Sequence, residues 1–153
     1  VYKVRDGART LTFDGEFLAQ STSQRRGRDR WVEFKLYRTH SGKYVLSRVG
    51  QSLVYHGPIC PTLDRSDGLE PNRPQINGVP CEVCSPEYPG VVLPERPREW
   101  AQVMDAPEAI LETLYRYDNY GARFLTRVAR DLIEAAANVD AEIREAYYTE
   151  HVA

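Results

Sequence analysis

Three cysteines and one histidine, gathered into two short pairs, constrain this chain more than any other feature. The first pair is H-x3-C, in His56-Gly57-Pro58-Ile59-Cys60, and the second is C-x2-C, in Cys81-Glu82-Val83-Cys84. Either spacing lets both members of a pair face one tetrahedral centre, and three thiolates with one imidazole suit zinc. Four protein ligands close the coordination shell and leave no position for water or substrate. The predicted Zn2+ is therefore structural, a zinc-finger-like staple, and its binding free energy becomes folding free energy. His40, His151 and Asp64 are the alternatives to His56 as fourth ligand.

A length of 153 residues suits one domain with a single core. Lys and Arg total 20 against 22 Asp and Glu, a formal charge of −2, so any attraction to an anionic partner must come from a local patch. No apolar run approaches the roughly 20 residues of a membrane span, and Val1 to Asp6 lack the apolar core of a secretory signal. The chain starts at Val1 rather than Met, so the natural protein could extend further. An odd number of cysteines, two of them in C-x2-C, points away from disulfides and toward metal in a reducing compartment. A soluble, cytoplasmic protein is the expectation.

Residues 1–56 read as an antiparallel β-meander with one wet face. Asp14-Gly15 is the dipeptide of a tight hairpin turn between Thr10–Phe13 and Glu16–Ala19. Trp31 to Thr39 alternates, with Val32, Phe34 and Leu36 on one face and Glu33, Lys35 and Tyr37 on the other. After the turn His40-Ser41-Gly42-Lys43 comes Tyr44 to Val49, and Gly50 reads as a bulge or break before Gln51 to His56.

Residues 57–100 hold nine of the ten prolines and show no period. They are expected to form a proline-rich loop pinned by zinc. Residues 101–153 read as a helical hairpin or three helices. Asp105 is the expected N-cap of the first, with Pro107 and Glu108 in its first turn and Ile110, Leu111, Leu114 and Tyr117 as its apolar stripe. A second follows Asp118 to Gly121, with Tyr120, Phe124, Val128 and Leu132 every four residues, and Asn138-Val139-Asp140 marks a further break. The predicted class is α+β, in one domain, with strands and helices segregated along the chain.

Asp14 with Glu33-Phe34-Lys35 forms a D…E-x-K pattern that resembles the PD-(D/E)xK nuclease superfamily over about 20 residues. The resemblance implies that Asp14 and Glu33 would hold Mg2+ and Lys35 would orient the attacking water. Pro80-Cys81-Glu82-Val83-Cys84 resembles half of the zinc deaminase signature. The other half, H-x-E, is missing because Gly57-Pro58 follows His56, and Cys60 would fill the position that water needs.

Arg25, Arg26, Arg28 and Arg30 beside Trp31 form a candidate nucleic-acid contact, cations with an aromatic stacking partner. Tyr115, Arg116, Tyr117 and Tyr120 concentrate interface-forming side chains around a helix break and are the candidate partner surface. There is no Gly-rich phosphate loop, no G-x-S-x-G, no H-E-x-x-H and no dinucleotide fingerprint. The sequence thus favours a zinc-stabilised, non-catalytic binding or adaptor module for a protein partner, possible as one subunit of a larger assembly. A nucleic-acid-binding zinc protein and a Mg-dependent nuclease are the alternatives.

Overall fold

A computed structural model of the chain describes residues 1–56, 79–80 and 91–149, with the backbone alone at 55–56, 79–80 and 91–93. Among these residues the architecture is α+β, with antiparallel strands dominating the N-terminal part and three helices toward the C-terminal end. Two compact units are distinguishable, one of Val1–Ser23, Glu33–Val49 and Glu99–Ala153, the other of Gln24–Val32 and Gly50–Arg98.

In the first unit, β1 (Tyr2–Asp6) and β2 (Arg9–Phe13) form a separate two-stranded antiparallel sheet, with Val4 opposite Leu11. Gly7 makes the two-residue connection possible by adopting φ +59°, a conformation costly for other residues. The Asp6 carboxylate accepts from Arg9 at 2.7 Å and from the Ala101 amide at 3.2 Å, anchoring the turn. Strand β3 (Gly15–Thr22) pairs antiparallel with β4 (Arg30–Thr39), with a register shift between Phe17 and Ala19. Asp14-Gly15 is consequently not the hairpin turn that its composition suggests. Gly15 opens β3 opposite Thr39, where a Cβ would collide with the Arg38 carbonyl, and the Asp14 carbonyl accepts from the His40 amide.

β4 is followed by β5 (Tyr44–His56), which lies beside it in the larger sheet and also pairs with β8 (Arg98–Met104). Phe34 and Leu36 are buried as the alternation predicts, but so is Tyr37. The expected wet face is covered by the β1–β2 hairpin. Val4 packs with Tyr37, Val45 and Ala101, and the Tyr37 ring meets those of Tyr2 at 4.9 Å and Phe13 at 5.3 Å. Burial on both faces explains the continuous apolar run Tyr44-Val45-Leu46. Val45 belongs to the hairpin side, whereas Tyr44 reaches Asp140 on the helical side.

In the second unit, β6 (Val79–Pro80) runs parallel to β5, and β7 (Val91–Pro94) runs antiparallel to it with Val54 opposite Leu93. Gly50 does not break β5. Arg98 lies against it, 3.0 Å from where a Cβ would stand, and donates to Ser52 Oγ at 3.1 Å. Residues 91–94 and 98–104 are strands rather than loop or helix. Pro94 is accommodated at a strand end and Pro97 between strands, where no ladder donor is needed.

The helices are α1 (Pro107–Leu114), α2 (Arg127–Ala137) and α3 (Ala141–Tyr148). Asp105 does not cap α1. Pro107 at N1 drives Ala106 into extended backbone and makes it the N-cap, while Asp105 pairs with Lys43 at 3.6 Å. Thr126 caps α2 and Asp140 caps α3, each accepting from the amide three residues on. Ser21 Oγ donates to the Val128 carbonyl, fixing α2 against β3, and Leu132, Ile133, Ala136 and Ile143 fill the core. Tyr117, Tyr120, Phe124 and Val139 do not join the helical stripes as their spacing suggests. All four are exposed, and the first three belong to a short hairpin between α1 and α2.

Candidate functional site

That hairpin consists of β9 (Arg116–Tyr117) and β10 (Arg123–Phe124), antiparallel, with Tyr117 opposite Arg123 and Arg116 opposite Phe124. Its loop is closed by one side chain. Asp118 Oδ1 accepts from the Tyr120 amide at 2.8 Å and the Ala122 amide at 2.9 Å, which satisfies two donors that would otherwise face water. The backbone adds an Asp118 N–H donated to the Ala122 carbonyl, and Gly121 at φ +81° completes the turn. These bonds hold Tyr120 at the tip, 96% exposed, with Tyr117 at 63% and Phe124 at 45%.

Arg123 ties the hairpin to α1. Its guanidinium lies 4.3 Å from the centre of the Tyr115 ring and 3.6 Å from Glu112. Beside this contact is a groove of about 820 Å³, floored by Leu111 and walled by Tyr115, Tyr147 and Tyr148. The Tyr147 and Tyr148 rings meet edge to face at 4.8 Å. Burial, and then the nearby Glu134 carboxylate, raise the Tyr147 hydroxyl above the usual tyrosine range, and this hydroxyl stands 3.5 Å from Glu134 Oε1. A smaller hollow of about 340 Å³ continues along α3 and shares Glu108, Ala146 and Thr149 with the first.

Of the four partner-surface residues singled out in the sequence, the structure places Arg116, Tyr117 and Tyr120 on the exposed hairpin and Tyr115 at its root. Sequence reasoning passes over Arg123, Glu112, Tyr147 and Tyr148. The one available signal was Tyr147-Tyr148 at the end of a helix whose last turn lacks a basic residue.

The other predicted sites fare differently. His56 ends β5, but its side chain and Cys60, Cys81 and Cys84 lie outside the described residues, as do Asp64 and His151. Among the described residues no cluster of three His, Cys, Asp or Glu could hold a metal ion. Asp14, Glu33 and Lys35 do not converge. Asp14 adjoins the Gly15–Thr39 end of the ladder, while Glu33 stands opposite Thr22 at the other end, about 20 Å away at the rise of a strand. One Mg2+ cannot bridge that distance, so the nuclease constellation is not assembled. In the second unit Arg25, Arg26, Arg28 and Arg30 are exposed around a turn at Gly27, φ +85°. Trp31 is only partly exposed, and its indole nitrogen is buried with no hydrogen-bond partner among the described residues, so that edge is not offered to a ligand.

No helix among the described residues is long and apolar enough to cross a membrane. Comparisons with protein families, with curated proteins and with solved structures return no match, leaving the residues themselves as the source of any functional reading.

Proposed function

We propose that this protein is a non-catalytic binding or adaptor module whose contact surface is the Arg116–Phe124 hairpin. Its proline-rich segment would be closed by a structural zinc on His56, Cys60, Cys81 and Cys84. The carrying observation is that Tyr117, Tyr120 and Phe124 are displayed to solvent on a loop whose backbone is fixed by Asp118. Aromatic side chains bury much area with few rotatable bonds, and a loop already in shape loses little entropy on binding. Three such side chains on one short hairpin serve a partner better than they serve the free protein.

The test is a photo-reactive phenylalanine analogue at Tyr120, compared with one at the exposed Gln20, in the cells that make the protein. A discrete adduct at position 120, absent at position 20 and lost when Tyr117 and Phe124 are replaced by Ala, is the expected result. Identical adduct patterns at both positions would remove the hairpin as the contact surface.

A further inference from the structure

We propose that the groove between α1 and α3 binds an arginine-bearing peptide segment, which deepens the binding-module reading by naming the chemistry of the partner. The first observation is charge. Glu108, Glu112, Glu142 and Glu145 line the two contiguous hollows, and Arg123 is the one cation among the described lining residues. Glu142 is already engaged by Arg38 at 2.9 Å and Glu112 by Arg123 at 3.6 Å. No cation among the described residues pairs with Glu108 or Glu145.

The second observation is the direction of the helices. The C-terminal ends of both α1 and α3 border the larger hollow, through Tyr115 and through Tyr147 to Thr149, and neither helix has a basic residue in its last turn. Unpaired carbonyls at a helix C-terminus carry partial negative charge that favours a cation. Both helix ends, and two carboxylates that no described cation engages, thus favour the same sign.

The third observation selects arginine. Arg123 on Tyr115 and beside Glu112 shows how a guanidinium is held here, stacked on a ring with a carboxylate at its edge. Tyr147 and Tyr148 line the same hollow as Glu108, where Arg123 is the one guanidinium among the described lining residues; Arg130 acts on the Tyr147 hydroxyl from outside that lining. Guanidinium stacks on aromatic faces and is less strongly hydrated than ammonium, so arginine gains more than lysine from such walls. The larger hollow falls within the about 300–1,000 Å³ of ordinary ligand sites, and the smaller one, which shares Glu108, Ala146 and Thr149 with it, adds room along α3 for a further residue of a peptide.

The experiment titrates the full chain into a short fluorescein-labelled peptide alternating Arg and Ser, with Lys-Ser and Glu-Ser counterparts, following anisotropy at low and physiological salt. The Arg peptide should bind most tightly, the Lys peptide less so, and the Glu peptide not at all. Glu108→Gln with Glu145→Gln, both exposed, should weaken the Arg peptide roughly tenfold with only a small drop in the thermal melt, from the lost first-turn charge of α1. Glu16→Gln with Asp131→Asn, which removes equal charge elsewhere, should leave binding unchanged. Absence of binding, or equal weakening by both double variants, would overturn the groove. A Tyr120 adduct that persists in that case leaves the hairpin contact standing. Arg-peptide binding that depends on Glu108 and Glu145, with no adduct at Tyr120, supports the groove and removes the hairpin.

Discussion

Arg38 and Asp140 meet at 2.9 Å, one near the end of β4 and the other at the N-cap of α3, joining sheet to helix across 102 positions of sequence. Asp140 is nearly inaccessible, and three donors satisfy it: Arg38 at Oδ2, with the Tyr44 hydroxyl and the Ile143 amide at Oδ1, both 3.0 Å. Arg38 also reaches Glu142 and lies over the Tyr44 ring, 5.0 Å from its centre. A buried carboxylate is tolerated only when so completely paired. This network sets where the α2–α3 turn sits on the sheet, and with it where α3 presents Tyr147 and Tyr148.

Asp140→Ala removes a helix cap and leaves Arg38 and Tyr44 short of a partner. Breaking a buried pair costs about 3–5 kcal/mol, and the low end applies because Arg38 keeps Glu142 and part of its exposure. Asp140→Asn retains the cap and should cost less. Glu142→Gln, at a largely exposed carboxylate, should cost less than about 1 kcal/mol. Urea midpoints of the three variants check the order. A loss for Asp140→Ala no larger than for Glu142→Gln would show that the junction is held by packing alone.

Tyr44 predicts an alkaline limb of instability. Burial first, and then its hydrogen bond to Asp140, raise the hydroxyl far above its ordinary value. The unfolded chain releases that proton near pH 10, whereas the folded chain holds it longer. The contribution is therefore whole below about pH 10 and declines as pH rises from there through the folded value. Tyr44→Phe should cost about 1.5–3 kcal/mol at neutral pH, because the lost hydrogen bond runs to a charged carboxylate. It should also flatten the fall in stability between neutral and strongly alkaline pH. A variant with the same alkaline slope as the parent would place the titrating group elsewhere.

The local chemistry of this fold is legible in the sequence, and its tertiary coverage is not. Pro107 in the first turn of α1, the break before α3 and the alternation of Phe34 and Leu36 all follow from rules acting over a few residues. Tyr37 is buried by a hairpin whose arrival no property of β4 announces, and Gly15 owes its place to the Arg38 backbone rather than to a turn. The four-residue recurrence of Tyr120 and Phe124 imitates a helix. Asp118 and Gly121 close a hairpin there, and the helix begins only at its Thr126 cap. For the candidate site, Tyr115, Arg116, Tyr117 and Tyr120 stand out as a cluster in sequence. The groove does not, because it exists only where α1 meets the end of α3.

The zinc proposal is tested by chemistry on its own ligands. Cys81→Ser or Cys84→Ser should strip the metal and lower the melting temperature, since a closed site contributes directly to folding. His56→Ala tests the fourth ligand separately from His40, Asp64 and His151. Elemental analysis of the purified chain should give close to one zinc per molecule, and chelation should reproduce the effect of the serine variants. Unchanged zinc content and an unchanged melt in both cysteine variants would dismiss the staple.

The arginine turn separates the adaptor from the nucleic-acid reading. Arg25, Arg26, Arg28 and Arg30 are exposed, but Asp29 interrupts them and the whole chain carries −2. Each phosphate contact by a cation releases counterions, so a true nucleic-acid site shows affinity falling steeply with salt. An adaptor predicts weak binding to single-stranded and duplex DNA or RNA, with a shallow salt slope that the triple replacement of Arg25, Arg26 and Arg28 by Ala barely alters. Filter binding across a salt series measures both quantities. A slope of several charges, reduced by about one for each arginine removed, would move the function from the tyrosine hairpin to this turn.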